Sequence, residues 1–518
     1  MKYKSTRLTI FFFGLTCLAN AQNVAIPDAN FKAKLVANTA INTNGDGEIQ
    51  VSEAAAFTGT INVNSLNTNQ KIHDLTGIEA FTGITGLDCA YNYDFNSTQQ
   101  LTSLNLTANT ALTFLNCPYN QLYTLDVSAN SALTHLNCKS NKLNNLNVSN
   151  NTALTYLNCW YNSLFSLNVS SNTALTYLDC GGNTYIPSLN VSTNTALTAL
   201  LCGSNQLTSL DVSPCTGLTY LDCNGNHLTS LNVSNNSSLA TLLCYVNQLP
   251  ALNVSANAAL TNLQCGVNQI TSLNVSNNTS LAILYCQNNQ LSVLNVSANT
   301  ALTDLECGGN QIASLIISNN TALTILYCHD NQLSNLNTSS NTALTTLYCH
   351  ANQLTSLDVS SNTGLTTLSC SNNQLTSLNM KNGNNTNFID YNFTNNPNLS
   401  CIQVDNATYS NTNWASAKDA TAIYSTNCST MGIVGLTKHS VEIVISPNPS
   451  SGIFTVNLDK QIIDTEIFVY DALGNCVLRS ICKTDRRPKI DLSHQARGIY
   501  FMEILSGEER IVKKIVMD

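Results

Sequence analysis

The segment Leu154–Ala174, LTYLNCWYNSLFSLNVSSNTA, recurs nearly unchanged over more than half of the chain. The unit is L-x-x-L-x-C-x-x-N-x-L-x-x-L-x-V-S-x-N-T-A. Its cysteine marks the register from Cys117 to Cys370 at 21-residue steps, with a single 22-residue step from Cys180 to Cys202. The extra residue lies in Thr184–Ser188, where Pro187 also interrupts the pattern. A fixed period of this size predicts a solenoid, because one unit cannot bury its apolar face until it stacks on the next.

Each position in the unit has a physical task. Leu154, Leu157 and Cys159 alternate with Tyr156 and Asn158, which predicts a short half-buried strand. Asn162 then turns the chain, its amide supplying partners for backbone groups a tight turn leaves bare. The same asparagine recurs from Asn92 to Asn373 and predicts a ladder. The second half, L-x-x-L-x-V, alternates too and predicts a second strand-like side. A second ladder runs through Asn130, Asn151, Asn172, Asn194 and then Asn236 to Asn362, broken only by Cys215.

The segment L-x-x-L-x-C-x-x-N-x-L resembles the leucine-rich repeat family, with Cys in the place of the third Leu. The resemblance covers about Ile84 to Met380 and is closest to the short bacterial repeat class. It implies a mainly β, right-handed solenoid of 21-residue units, strand-like on both sides. Ile72–Leu87 spaces its apolar residues like an internalin-type repeat and leads into Cys89. Coils ~4.8 Å apart would stack fourteen units into a rod on the order of 65 Å long, with a cap needed at each end.

Charge narrows the function. Residues 101–380 hold two Lys, no Arg and eight acids, so no basic footprint for nucleic acid exists there. Residues 1–21 read as a signal peptide: Lys2, Lys4 and Arg7 form the basic region, Leu8–Leu18 the apolar core, and Ala19-Asn20-Ala21 the cleavage site. No later apolar run is long enough to span a membrane. The expected location is therefore secreted or on the outer cell surface.

Residues 22–83 read as an N-terminal cap that begins with a short helix from Asp28 to Val36. Within it, Asn42-Thr-Asn44-Gly-Asp46-Gly47-Glu48-Ile49-Gln50-Val-Ser-Glu53 resembles a twelve-position EF-hand or dockerin calcium loop. That resemblance implies one structural Ca2+, held by side-chain oxygens of Asn42, Asn44, Asp46 and Glu53 and by the Glu48 carbonyl. Asn42 departs from the usual Asp, which weakens the site. The other reading is an Asn/Gly-rich turn between the helix and the first coil.

The ladder cysteines sit at an inward apolar position, where Cys acts as a small hydrophobe. In-register stacking keeps their Cβ atoms about a coil spacing apart, whereas a disulfide needs ~3.8 Å. They are expected to be buried free thiols. Cys401 and Cys428 lie outside the ladder and are expected to form a disulfide. Cys476 and Cys482 either pair or sit in a core.

Ligand candidates are the outward positions of the first strand side, where the sequence stops being monotonous: Phe114, Tyr119, His135, Tyr156, Trp160, Tyr161, Tyr177, Tyr285, Tyr327 and Tyr348, with Tyr220 and Tyr245 nearby. Tyr and Trp give large amphipathic contact area at low entropy cost, as protein hot spots and sugar platforms require. The competing reading is that stacked aromatics only stabilise neighbouring strands. Glu306, His329, Asp330 and His350 fall on adjacent coils, either as solvated surface or as a metal or acid–base cluster. Asp304 and Glu306 are not positioned as a glycosidase pair. No phosphate loop, nucleophile elbow or His-Glu-x-x-His is present, so no enzymatic activity is expected.

After Met380 the pattern decays. Residues 381–430 look like the C-terminal cap of secreted bacterial leucine-rich repeat proteins, and 431–440 read as a linker. Residues 441–518 are richer in charge and hold every Arg beyond the signal peptide. Their short β-rich runs predict a small sandwich. Ser446-Pro447-Asn448-Pro449-Ser450-Ser451-Gly452, Tyr470-Asp471-Ala-Leu-Gly474, Asp491-Leu-Ser493, Gly498-Ile499-Tyr500 and Lys513-Lys514-Ile515-Val516 resemble the C-terminal sorting domain of type IX secretion cargo. That resemblance implies a Bacteroidota-type source and handling by the type IX secretion machinery. The expected function is recognition of a protein or glycan, in adhesion or binding. The alternative is a surface-layer or matrix spacer.

Overall fold

The computed structural model describes residues 22–65, 70–92, 100–428, 443–457, 465–471, 476–482, 487–506 and 509–518. The expected signal peptide, the 431–440 linker and most of the insertion before Cys117 lie outside these residues. The chain divides into two compact units, residues 1–426 and 427–518.

In the first unit each coil contributes a three-residue strand, such as Tyr156–Asn158 or Tyr177–Asp179. These strands pair in parallel into one sixteen-stranded sheet, from Thr60–Asn62 to Asp390–Asn392. The sheet therefore begins inside the segment expected as a cap and continues beyond Met380. Register follows the repeat: Tyr156 faces Tyr177, and Tyr177 faces Ala199 across the 22-residue step. From Gly86–Asp88 to Thr367–Ser369 the middle residue of each strand is a buried Leu, with Ile61 in its place in the first strand and the half-buried Tyr391 in the last. Leu154, Leu157, Cys159, Leu164 and Val169 are all fully buried, and their equivalents fuse into one core that runs the length of the unit.

Both ladders are present, and each works between coils. The Asn162 amide donates to the carbonyls of Cys159 (3.0 Å) and Cys138 (3.1 Å), and its oxygen accepts from Leu143 N (3.0 Å). In the second ladder Asn172 donates to Val148 O (2.9 Å) and Asn151 O (2.8 Å). Where Cys215 replaces the asparagine, its sulfur takes over both positions, 3.7 Å from Val191 O and 3.5 Å from Asn194 O. The cysteine column from Cys89 to Cys370 is buried and free.

The second strand-like side pairs as a regular sheet over only part of its length. The alternation does bury Leu167 and Val169. Yet among the described residues a sheet forms on this side only at Ser356–Asp358, Ser377–Asn379, Cys401–Gln403 and Ile423–Ser425. Coil spacing explains the difference. In the early coils the Phe165 N–H stands 3.4 Å from Asn144 O, whereas Thr376 N–H is 2.8 Å from Thr355 O in the last coils. The early coils are splayed on this side, and their backbone groups stand at the limit of pairing.

The ends are sealed differently. At the N-terminal end, Asp28 caps the helix Ala29–Val36 through the N–H groups of Asn30 and Phe31 (both 2.9 Å), and its second oxygen accepts from His73 N (2.8 Å). At the C-terminal end, Trp414 is 1% exposed. It packs among Phe388, Tyr391, Phe393, Tyr409 and Tyr424 at ring separations of 5.1–6.1 Å. Cys401 and Cys428 are both disulfide-bonded.

The second unit holds two antiparallel sheets. One contains Val444–Ser446, Ile453–Asn457 and Lys489–Asp491; the other Cys476–Cys482, Thr465–Tyr470, Gly498–Ser506 and Glu509–Met517. Phe454, Val456 and Ile490 from the first share one core with Ile467, Val469, Met502 and Ile515 from the second, as a small sandwich requires. Cys476 is free and exposed.

Candidate functional site

The outward residues of the first sheet fall into separate columns. Phe114, His135, Tyr156 and Tyr177 occupy the first position of four successive strands. Their rings stack continuously, with centroids 4.8, 4.1 and 4.5 Å apart. Tyr285, Tyr327 and Tyr348 occupy the third position of later strands. Tyr327 meets Tyr348 edge to face at 5.0 Å, and the Tyr348 hydroxyl donates to Asp390. Tyr119, Trp160 and Tyr161 are not on strands at all. They follow the buried cysteine into the turn, where Tyr119 and Tyr161 adopt left-handed φ of 54° and 53°. The ten candidates thus form an N-terminal group and a distant C-terminal group, not one stripe.

Part of the N-terminal group borders a cavity of about 480 Å³. Tyr119, Tyr156, Trp160 and Tyr177 line it, together with Lys139, Asn158, Asp179, Asp222 and Asn224. Two glycines make room. A Cβ at Gly181 would come 3.2 Å from the Trp160 ring, and Gly203 has the Asn224 amide 2.7 Å from where its Cβ would stand. Trp160 therefore lies along bare backbone of the following coil and keeps 39% of its surface exposed. Lys139 stands 5.3 Å over the Tyr119 ring, within cation–π range.

A polar row crosses the same strands. Asn137 donates to Asn116 (2.8 Å), and Asn116 donates to Asp88 (3.0 Å). Asp179 continues the row at 6% exposure. Burial pushes its carboxyl up to about 6, against the Gly181 N–H that favours the charged form. Burial also raises the Asp222 carboxyl, with Asn224 bonding to it as the opposing effect. The cavity thus joins flat aromatic area to hydrogen-bonding groups with little water around them, the combination small polar ligands and anchor side chains need.

A second exposed aromatic pair escaped the sequence analysis. Phe165 and Tyr185, 59% and 55% exposed, stack at 5.2 Å beyond the Asn162 turn. Both break the repeat, Phe165 in a variable slot and Tyr185 within the irregular Thr184–Ser188 segment, and that departure was the available signal.

The calcium-like loop closes on itself. The Asn42 amide nitrogen donates to Val36 O (3.2 Å) and Asp46 O (2.7 Å), while its oxygen accepts from Gly45 N (3.1 Å). Two carbonyl acceptors fix that amide orientation, so no Asn42 oxygen is left to face a cation. Glu53 Oε1 accepts from Thr43 N, Thr43 Oγ and Asn44 N at 2.8–3.2 Å. Asn44 and Gln50 both donate to Asp46 Oδ2 (2.9 Å each), and the Glu48 side chain, as distinct from the carbonyl expected as ligand, pairs with Lys32 at 2.6 Å. In this arrangement the donor set does not fit Ca2+, which needs six to eight converging oxygens.

Comparison with known proteins bears on the solenoid and on the C-terminal unit. Residues 444–518 match the family described as secretion system C-terminal sorting domain. The chain is also similar in structure to the functional domain of InlJ from Listeria monocytogenes, which includes a cysteine ladder. That match has 29% identity and a TM-score of 0.65, over 96% of this chain and 98% of that one. The chain is a leucine-rich repeat solenoid with a secretion-system sorting domain. YopM, a leucine-rich effector protein from Yersinia pestis, shares the solenoid fold at 21% identity and TM-score 0.50, over 66% of this chain and 87% of that one. So does the plant peptide hormone receptor RGFR1 in complex with RGF2, at 18% identity and TM-score 0.51, over 63% and 57%. No curated protein matches the chain in sequence. The sorting domain marks this leucine-rich repeat protein for export. Among the described residues no helix is long and apolar enough to cross a membrane.

Proposed function

We propose that this exported leucine-rich repeat protein is a non-catalytic recognition protein, secreted or held at the cell surface, that binds a protein or glycan partner over the Trp160 cavity. The observation that carries the reading is Trp160 itself. Its indole keeps 39% of its surface exposed beside buried Asp179, over glycine backbone that leaves it open to a ligand. Nothing in the repeat requires Trp there, since other units place Lys139, Gly181, Gly203 or Asn224 at the same position. The stacked column Phe114–Tyr177 accounts for strand stability and leaves Trp160 out. The RGFR1 solenoid, seen in complex with RGF2, supports the reading only as a case of this fold holding a partner.

The test is a glycan and protein array probed with the mature chain, beside Trp160→Ala and Tyr156→Ala. A ligand whose affinity falls at least ~10-fold in both variants supports the reading, since central aromatic anchors carry such losses. Binding indifferent to both places the site elsewhere. A chain that binds nothing and assembles into filaments or sheets supports the spacer reading instead.

A further inference from the structure

The position after the inward cysteine is occupied by His in two successive coils, His329 and His350. The repeat does not ask for it, since the preceding coils place Gly266, Gln287 and Gly308 there. The two rings stack face to face, 4.7 Å apart and 1° from parallel. Gly308 makes the stack possible, because a Cβ there would stand 2.7 Å from Cε1 and Nε2 of His329. Asp330 takes the left-handed turn position with φ of 51°, which brings its carboxylate back to His329 Nδ1 at 2.8 Å. One ligand atom from each of His329, Asp330 and His350 lies within 4.8 Å of the other two. The Nδ1 atom of His350 is buried without a hydrogen-bond partner, although buried polar atoms are almost always satisfied.

We propose that His329, Asp330 and His350 form a binding site for one divalent first-row transition ion, with Zn2+ the best match. Two imidazoles and a carboxylate are the ligand types Zn2+ favours. Tetrahedral coordination with ~2.0 Å bonds needs donors about 3.3 Å apart, so binding requires the side chains to rotate and bring in donors that now lie within 4.8 Å of one another. Three protein ligands leave a coordination position for water or for a side chain of a partner. The Trp160 cavity lies many coils away, so this site stands independently of the proposed recognition surface.

The experiment is titration calorimetry of the mature chain with zinc chloride alone, in a buffer without chelator. Wild type, His329→Ala, His350→Gln and His227→Ala are compared, with circular dichroism as the folding check. His227 is the control, an exposed solenoid histidine bonded to Gln206 on its neighbouring coil. The expected result is one ion per chain, with affinity reduced at least 10-fold in the His329 and His350 variants and unchanged in His227→Ala. No binding by the wild type overturns the proposal. So does binding that survives either ligand variant, which would assign the ion to other residues.

Discussion

The side-chain amide of Asn162 donates to the carbonyl of Cys138, 24 residues earlier, at 3.1 Å. This bond joins one coil to the previous one at a point where both groups are buried. The same asparagine holds its own coil through Cys159 O and takes the Leu143 N–H. With a longer contact to Trp160 O at 3.4 Å, one side chain therefore serves four backbone groups on two coils.

Asn162→Ala leaves the Leu143 N–H without a partner in a dry interior, while the carbonyls of Cys138 and Cys159 each lose one of two amide donors and keep Asn141 and Asn183. One unsatisfied buried group costs about 1–3 kcal/mol, so the variant is expected to lose roughly 2 kcal/mol and to melt clearly earlier. Asn150→Ala is the comparison, because its amide reaches Ser128 O at the exposed surface and its loss should fall within ~0.5 kcal/mol. Thermal melts by circular dichroism check both.

The ladder thiols should be unreactive in the native chain. Burial raises Cys138, Cys265, Cys307 and Cys370 to about 12, and the reactive species is the thiolate. At pH 8 a thiol reagent should label exposed Cys476 and none of the ladder until denaturant is added; mass spectrometry of labelled peptides reads the result. The raised values also predict alkaline instability. The native state holds its thiol protons more tightly than the unfolded chain, whose thiols titrate near 9. Stability is therefore complete below about pH 9 and falls as pH rises towards 12. Urea midpoints at pH 7, 9 and 10.5 should decline in that order.

Asp179 has the same sign at lower pH. Its carboxyl is raised from 3.8 to about 6, so the folded protein is favoured below 3.8 and loses that contribution as pH rises through 6. Asp179→Asn removes the buried charge and is expected to raise the melting temperature at pH 7. The difference from wild type should shrink below pH 4.

Calcium should do little to this protein. Asn42 spends its amide inside the loop and Glu53 closes the loop backbone. Melting temperatures in millimolar CaCl2 and in EDTA are expected to agree within a degree. A rise of several degrees with calcium would mean that the loop reopens to form a cation site.

Much of the solenoid was legible because its period specifies it. Side-chain direction follows from alternation, so Leu157 and Cys159 could be placed inward from the letters alone. Alternation does not report how far apart neighbouring coils stand, and for that reason it does not say which part of the second side pairs as a sheet. The aromatic candidates show a similar limit. Position in the unit located Tyr156 and Tyr177, but the left-handed backbone at Tyr119 and Tyr161 sets those side chains on the turn, and no pattern announces that choice. Trp414 lies outside the repeat, so nothing in the period marked it as the plug of the C-terminal end. For Asn42, the residue type allowed an oxygen ligand, and only the surrounding carbonyls showed that the amide points elsewhere.

The unchanging register of the sheet has an evolutionary consequence. From Cys202 to Cys370 every step is 21 residues, and each coil bonds only to its immediate neighbours. Excising one such block, or copying it, brings together two edges that already match in Leu, Cys and Asn. The gene can thus lengthen or shorten its product by recombination between near-identical stretches, without a fresh solution to folding. Copy number then sets the distance between the Trp160 cavity and the Trp414 plug of the same unit, and that distance can change while both ends stay constant.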